Sequence, residues 1–117
     1  MCIRDSSDPV ELIHPAVRPA AGEVVVGKHR VNALHGTALD LILRASARDT
    51  LILLGYATSG VVLSTVRAAA DLDYRLVVVE DCCADQDADV HDFLTQRIFP
   101  RQAEVVTSSE VIQALTA

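Results

Sequence analysis

Lysine is almost missing from this 117-residue chain: nine of its ten basic residues are arginines scattered along it, and Lys28 is the only lysine. Sixteen acidic residues bring the formal net charge to -6. No basic stripe is available to follow a phosphate backbone, so a nucleic-acid partner is not expected. Long apolar runs are missing too. Leu51–Leu54 and Leu76–Val79 are among the longest, far short of the roughly 20 residues that cross a bilayer, and no membrane partner is expected. The three cysteines, Cys2, Cys82 and Cys83, cannot build a disulfide framework. No positively charged segment followed by an apolar stretch opens the sequence, and the expected compartment is a reducing cytoplasm. What remains is half hydrophobic and 22% charged, the balance of one compact domain or a piece of one.

Residues 1–6 read MCIRDS. This string resembles the translation of a transposon-end tag used to build sequencing libraries, so it is set aside from fold reasoning and Cys2 is given no function. The rest is then expected to be the C-terminal part of a longer domain. Residues 7–22 contain Pro9, Pro15 and Pro19 and read as a connector, irregular or briefly helical.

From residue 23 to 117 strands and helices alternate. Glu23–Val26 is a short β-branched run closed by Gly27, expected as a buried strand that delivers Lys28. Gly36–Ala47 carries Leu39, Ile42, Leu43 and Ala47 at helical spacing, with Thr37 as its cap. The near-continuous apolar run LILLGY, Leu51–Tyr56, reads as a central parallel strand. Thr58, Ser59 and Gly60 then open a helix over Ala57–Asp71, with Val62, Val66 and Ala69 on one face. Tyr74–Glu80 repeats the buried-strand signature. Val90–Ile98 reads as a helix that stops before Pro100, Ala103–Val106 as a short strand, and Ser108–Leu115 as a helix introduced by Thr107. The alternation argues for an α/β architecture, a parallel sheet with helices on its faces.

Ligands of open α/β sheets gather at the carboxyl ends of the strands, which singles out three places. Lys28 follows a predicted strand, and by position alone it reads either as a solvated strand end or as a catalytic group. The turn GYATSGVV exposes backbone N–H groups at the positive end of a helix dipole. It can hold an anion or oxyanion, or can serve as an ordinary loop with a Thr or Ser cap. The third place, Asp81–Asp92, holds five Asp and His91. A calcium loop is excluded there because Val90 replaces the loop glycine and Gln96 the closing glutamate, leaving a solvated loop that caps the next helix. Cys82 and Cys83 lack a second pair for zinc or a CxxC motif and are expected as buried structural thiols. His14, His29 and His35 have no metal spacing, and neither Ser59 nor Ser64 sits in a GxSxG elbow. No metal or cofactor is expected.

Taken together, VVVGKHRVNALHGTALDLILRA, TLILLGYATSGVVLSTVRAAADLDYRLVVVEDCCAD and VHDFLTQRIF resemble the isochorismatase-like family, the cysteine hydrolases, over nearly all of residues 22–115. The resemblance implies a three-layer α/β/α fold with a mostly parallel sheet, and hydrolysis of a small molecule by an Asp on the first strand, a Lys after the third and a Cys opening the helix after the fourth. It places Lys28, in a K-x-R context with Arg30, on the family lysine. It places Gly55, Tyr56, Ala57 and Thr58 on the family turn, where the peptide joining Tyr56 to Ala57 is cis, and the oxyanion amides on Ala57 and Val61.

Val61 stands where the resemblance expects the nucleophilic Cys. Valine has no nucleophilic atom, so an acyl-enzyme cannot form through it; acid cleavage of a vinyl ether, as in isochorismatases, tolerates the replacement. The family Asp falls upstream of residue 8, as do the metal ligands of some nicotinamidases. The chain as given is therefore expected to be inactive. The completed protein is expected to be a homo-oligomeric hydrolase of a vinyl ether or C–N amide bond, or else a catalytically silent member that binds a small molecule or forms oligomers. The family topology also implies a sheet gap beside Leu51–Leu54, with unpaired strand edges, marginal stability and a loosely attached Glu23–Val26.

Overall fold

In a computed structural model the described residues are 13–117, so the tag reading of residues 1–6 and of Cys2 lies outside them. The Leu-, Ile- and Val-rich runs pair as one parallel sheet of three strands in the order β1-β2-β3, with β1 at Thr50–Tyr56, β2 at Arg75–Ala84 and β3 at Glu104–Val106. Branched side chains suit the pleated surface. Leu51 lies beside Leu76, Ile52 beside Val77 and Leu53 beside Val78, while Val105 and Val106 extend the rows from Val78 and Val79.

The pleat sorts these residues onto two faces. Leu51, Leu53, Leu76, Val78 and Val105 pack into one core with Val62, with Val66 and Ala69 of α2 (Leu63–Asp71), and with Leu94 and Phe99. On the other face Ile52, Val77 and Val106 lie under α4 (Ser108–Thr116), whose Val111, Ala114 and Leu115 wall a groove of about 280 Å³. Helices thus cover both faces, which is the α/β/α arrangement.

Short polar contacts set the ends of these elements. Thr107 accepts a hydrogen bond from the Glu110 amide at 3.2 Å, and Asp81 takes both the amide and hydroxyl of Ser108 at 2.7 and 2.5 Å, so α4 starts where its cap residue predicts. Thr37 Oγ1 accepts from Leu39 N at 3.3 Å ahead of α1 (Leu39–Ala45). That helix is pinned by Tyr74, whose hydroxyl donates to Asp40 at 2.5 Å and whose ring lies 4.1 Å beneath the Arg44 guanidinium. Residues 13–22 hold a single 3₁₀ turn, Pro15–Val17.

Four expectations need correction. Glu23–Val26 forms no strand, and Val24 and Val25 are exposed; a β-branched run becomes a strand only when a neighbour takes up its amides and carbonyls, and no described segment lies alongside it. β1 is an edge strand among the described residues rather than a central one, for Leu51 and Leu53 point to the core while Ile52, Leu54 and Tyr56 are 45%, 59% and 59% exposed. β2 continues past Glu80 to Ala84. The expected helix over Val90–Ile98 is composite: α3 (Ala88–Phe93), then a π turn over Leu94–Ile98, then a 3₁₀ turn over Phe99–Arg101 that holds Pro100. Among the described residues no helix is long and apolar enough to cross a membrane.

Candidate active site

At its carboxyl end β1 reaches Gly55, whose φ of 148° lies where glycine is favoured, and then a cis peptide between Tyr56 and Ala57. The chain next coils through one π turn, Thr58–Val62, that runs straight into α2. Ala57 O closes it, accepting from Gly60 N at 3.1 Å and Val62 N at 3.3 Å. This turn lies at the positive end of the helix dipole. Val61 is partly buried and packs against the core.

The loop that follows Lys28 is stitched to the first residues of α2, just past this turn. Asn32 Nδ2 donates to Ser64 O at 3.1 Å and Ala33 N donates to Thr65 Oγ1 at 3.1 Å. Asn32 Oδ1 meanwhile accepts from Leu34 N and His35 N at 2.7 and 3.2 Å, which holds its own loop tight. A Cβ placed on Gly60 would lie 4.0 Å from Val31 Cγ1, so the loop is in contact distance of the turn. The partly buried Lys28 folds its ammonium over this loop, donating to Arg30 O at 2.7 Å and Val31 O at 3.4 Å.

A second clasp comes from the segment after β2. Asp85 Oδ2 accepts from Ser59 N at 2.8 Å. Thr58, fully buried, shares a 2.7 Å hydrogen bond between its Oγ1 and His91 Nδ1. Hydrogen bonds from the side chain and backbone of Ser59 hold the Asp85 carboxyl below the usual carboxylate range. Beside the turn, burial pushes the Cys83 thiol up, against the opposing effect of the Gly55 N–H that donates to it.

With this geometry in place, the comparisons with known proteins are decisive. Residues 4–110 match the isochorismatase domain. The chain belongs to the isochorismatase family. It is 37% identical to an isochorismatase family protein of Escherichia coli over 87% of this chain and 55% of that protein. It is 33% identical to a maleamate amidohydrolase of Pseudomonas putida over 92% of this chain and 51% of that enzyme. A solved isochorismatase family protein from Burkholderia thailandensis superimposes with a TM-score of 0.85 at 36% identity, covering 89% of this chain and 55% of the other. The chain spans about half the length of the curated relatives it matches.

Within this isochorismatase-family domain, of the residues singled out by resemblance Tyr56 ends β1, Ala57 and Val61 lie where the chain turns into α2, and Lys28 precedes the loop whose Asn32 and Ala33 bond to Ser64 and Thr65 of α2. In the sequence Asp85 and His91 read only as members of an acidic, calcium-like run with no part in the turn, and Asn32 is not singled out. The expected solvated loop over Asp81–Asp92 is corrected in part: Asp87 caps α3, accepting from Asp89 N at 2.9 Å and Val90 N at 3.4 Å, but residues 81–84 are strand and Asp85 serves the turn. The expectation that both thiols are buried is also corrected, since Cys83 is buried and Cys82 exposed; consecutive strand residues point to opposite faces. His14 takes the Ala16 amide at 3.1 Å and caps its own short turn. Among the described residues no group of three or more His, Cys, Asp or Glu is placed to hold a metal.

Proposed function

We propose that this domain belongs to a hydrolase acting on a small molecule with a vinyl ether or C–N amide bond, and that the bond is broken where the Lys28 loop meets the Ala57–Val61 turn. What supports the reading is that the loop following Lys28, the chain's only lysine, is stitched to the start of α2, the anion-binding end of a helix, through Asn32–Ser64 and Ala33–Thr65. The maleamate amidohydrolase relative supports the amide class.

In this reading, for a C–N amide substrate the Ala57 and Val61 amides and the Lys28 charge stabilise the negative charge that develops on the carbonyl oxygen as water adds. Val61 offers no atom for covalent attack, so bond cleavage proceeds by proton transfer to the leaving side or by addition of water, with an Asp carried upstream of residue 8 as the acid or base. No cofactor takes part, and the full-length protein acts as a homo-oligomer in the cytoplasm.

Val61 also favours a second reading, in which the member binds a small ligand and turns nothing over. One experiment separates the two. The protein is expressed with the coding sequence that the source DNA carries ahead of residue 8, and ammonia release from maleamate and cleavage of isochorismate are followed. Turnover of either compound above the uncatalysed rate supports the hydrolase. Saturable binding of either compound without turnover establishes the silent binder.

A further inference from the structure

The acidic segment after β2 has no part in the chemistry just described, yet it holds the turn at two consecutive residues. β2 departs from β1 after Val78 and rejoins it at Cys83 and Ala84, which pair with Gly55 and Tyr56. That excursion delivers Asp85 to Ser59 and, through the short α3, His91 to Thr58. The Ser59 N–H is thereby committed to Asp85, and those of Gly60 and Val62 to Ala57 O. Val61 lies between the last two. Thr58 is fully buried, so its hydroxyl meets a protein partner or loses a hydrogen bond altogether. His91 supplies that partner and is itself tied to the next turn, because Thr95 Oγ1 donates to its carbonyl at 3.0 Å.

We infer that His91 is a positioning residue: through Thr58 it fixes the conformation of the Thr58–Val62 turn, and with Asp85 it sets where the Val61 amide points. This deepens the proposed function, whose oxyanion amides lie on the same turn. It does not require turnover to be tested.

The test is native-state amide hydrogen exchange on the full 117-residue chain, comparing Gly60 and Val62 with the Val78 amide in the centre of the sheet. His91→Leu removes the polar partner, His91→Asn places an amide group near the position of Nδ1, and Thr58→Val removes the hydroxyl at nearly constant shape. His91→Leu and Thr58→Val are expected to speed exchange at Gly60 and Val62 roughly tenfold with Val78 unchanged, and His91→Asn to restore the original rates. The inference is overturned if Gly60 and Val62 stay slow in Thr58→Val, if all three amides accelerate equally, or if His91→Asn behaves as His91→Leu. Should His91→Leu not fold, Thr58→Val alone decides. Failure here with turnover intact removes the positioning role only; accelerated turn amides in the variants, with no turnover by the full-length protein, remove the hydrolase reading only.

Discussion

Cys83 of β2 lies opposite Gly55 of β1, although the two strands last matched at Leu53 and Val78. Between these pairings β1 advances two residues and β2 five, so the stretch Glu80–Cys82 swings out of register and Cys83 returns buried beside Gly55. Exposed Cys82 sits one residue earlier. With Cys2→Ser in place, an aromatic disulfide reagent is expected to titrate one thiol quickly and the second only at the rate of unfolding. Equal rates for both would contradict the register.

The Cys83 thiol has its pKa raised in the fold, chiefly by burial. A raised folded value means stability that is complete below the unfolded thiol pKa and is lost as pH rises through the folded one. Melting temperature is therefore expected to decline above about pH 8.5, and less steeply in Cys83→Ala. Tyr74, raised by burial and by its bond to Asp40, acts in the same direction at still higher pH.

Two carboxylates govern the acid side. Asp81 is held low by the Ser108 hydroxyl and amide, and Asp85 by the Ser59 hydroxyl and amide. Depressed folded values contribute stability above the unfolded carboxylate pKa of about 3.9 that is lost as pH falls through the folded values. A melting series from pH 5 to 2 is expected to show a steep acid limb, flattened by Asp81→Asn and by Asp85→Asn. An unchanged limb in both variants would contradict these bonds.

Much of the fold was legible because its signals are local. The run LILLGY, the run LVVV and the Thr107 cap need no distant partner to be recognised, and all three appear where the pattern puts them. Glu23–Val26 has the composition of a strand, but composition cannot supply the neighbour that a ladder requires. The same gap misplaces β1: Leu51–Leu54 looks two-sided in sequence, whereas only the Leu51 and Leu53 face is packed. The roles of Asp85 and His91 at the turn were missed because their partners lie 26 and 33 residues away and an acidic run ordinarily marks a solvated loop. The signal was the continuation of β2 through Cys82 and Cys83, small apolar residues that carry the strand past Glu80 to the turn.

The Tyr74 hydroxyl is the principal polar anchor between α1 and the sheet, donating to Asp40 from a buried position while Arg44 lies over the ring. Tyr74→Phe keeps the ring and the Arg44 stacking. It is expected to cost about 1.5–3 kcal/mol, the range for a hydrogen bond to a charged partner, measured by urea denaturation with an unchanged m-value. A cost near zero would mean that Asp40 and Tyr74 do not bond in solution.

The central proposal is that the Ala57–Val61 turn, with the Lys28 loop stitched to the start of α2 behind it, stabilises negative charge at residue 61. Val61→Cys, made in a Cys2→Ser, Cys82→Ser background, places a reporter thiol at that residue, and its alkylation rate by iodoacetamide is followed from pH 5 to 10. The account predicts that this thiol titrates well below the ordinary value of about 8.5, and that Lys28→Met moves it back up. A thiol that titrates at 8.5 or above, indifferent to Lys28, would contradict it.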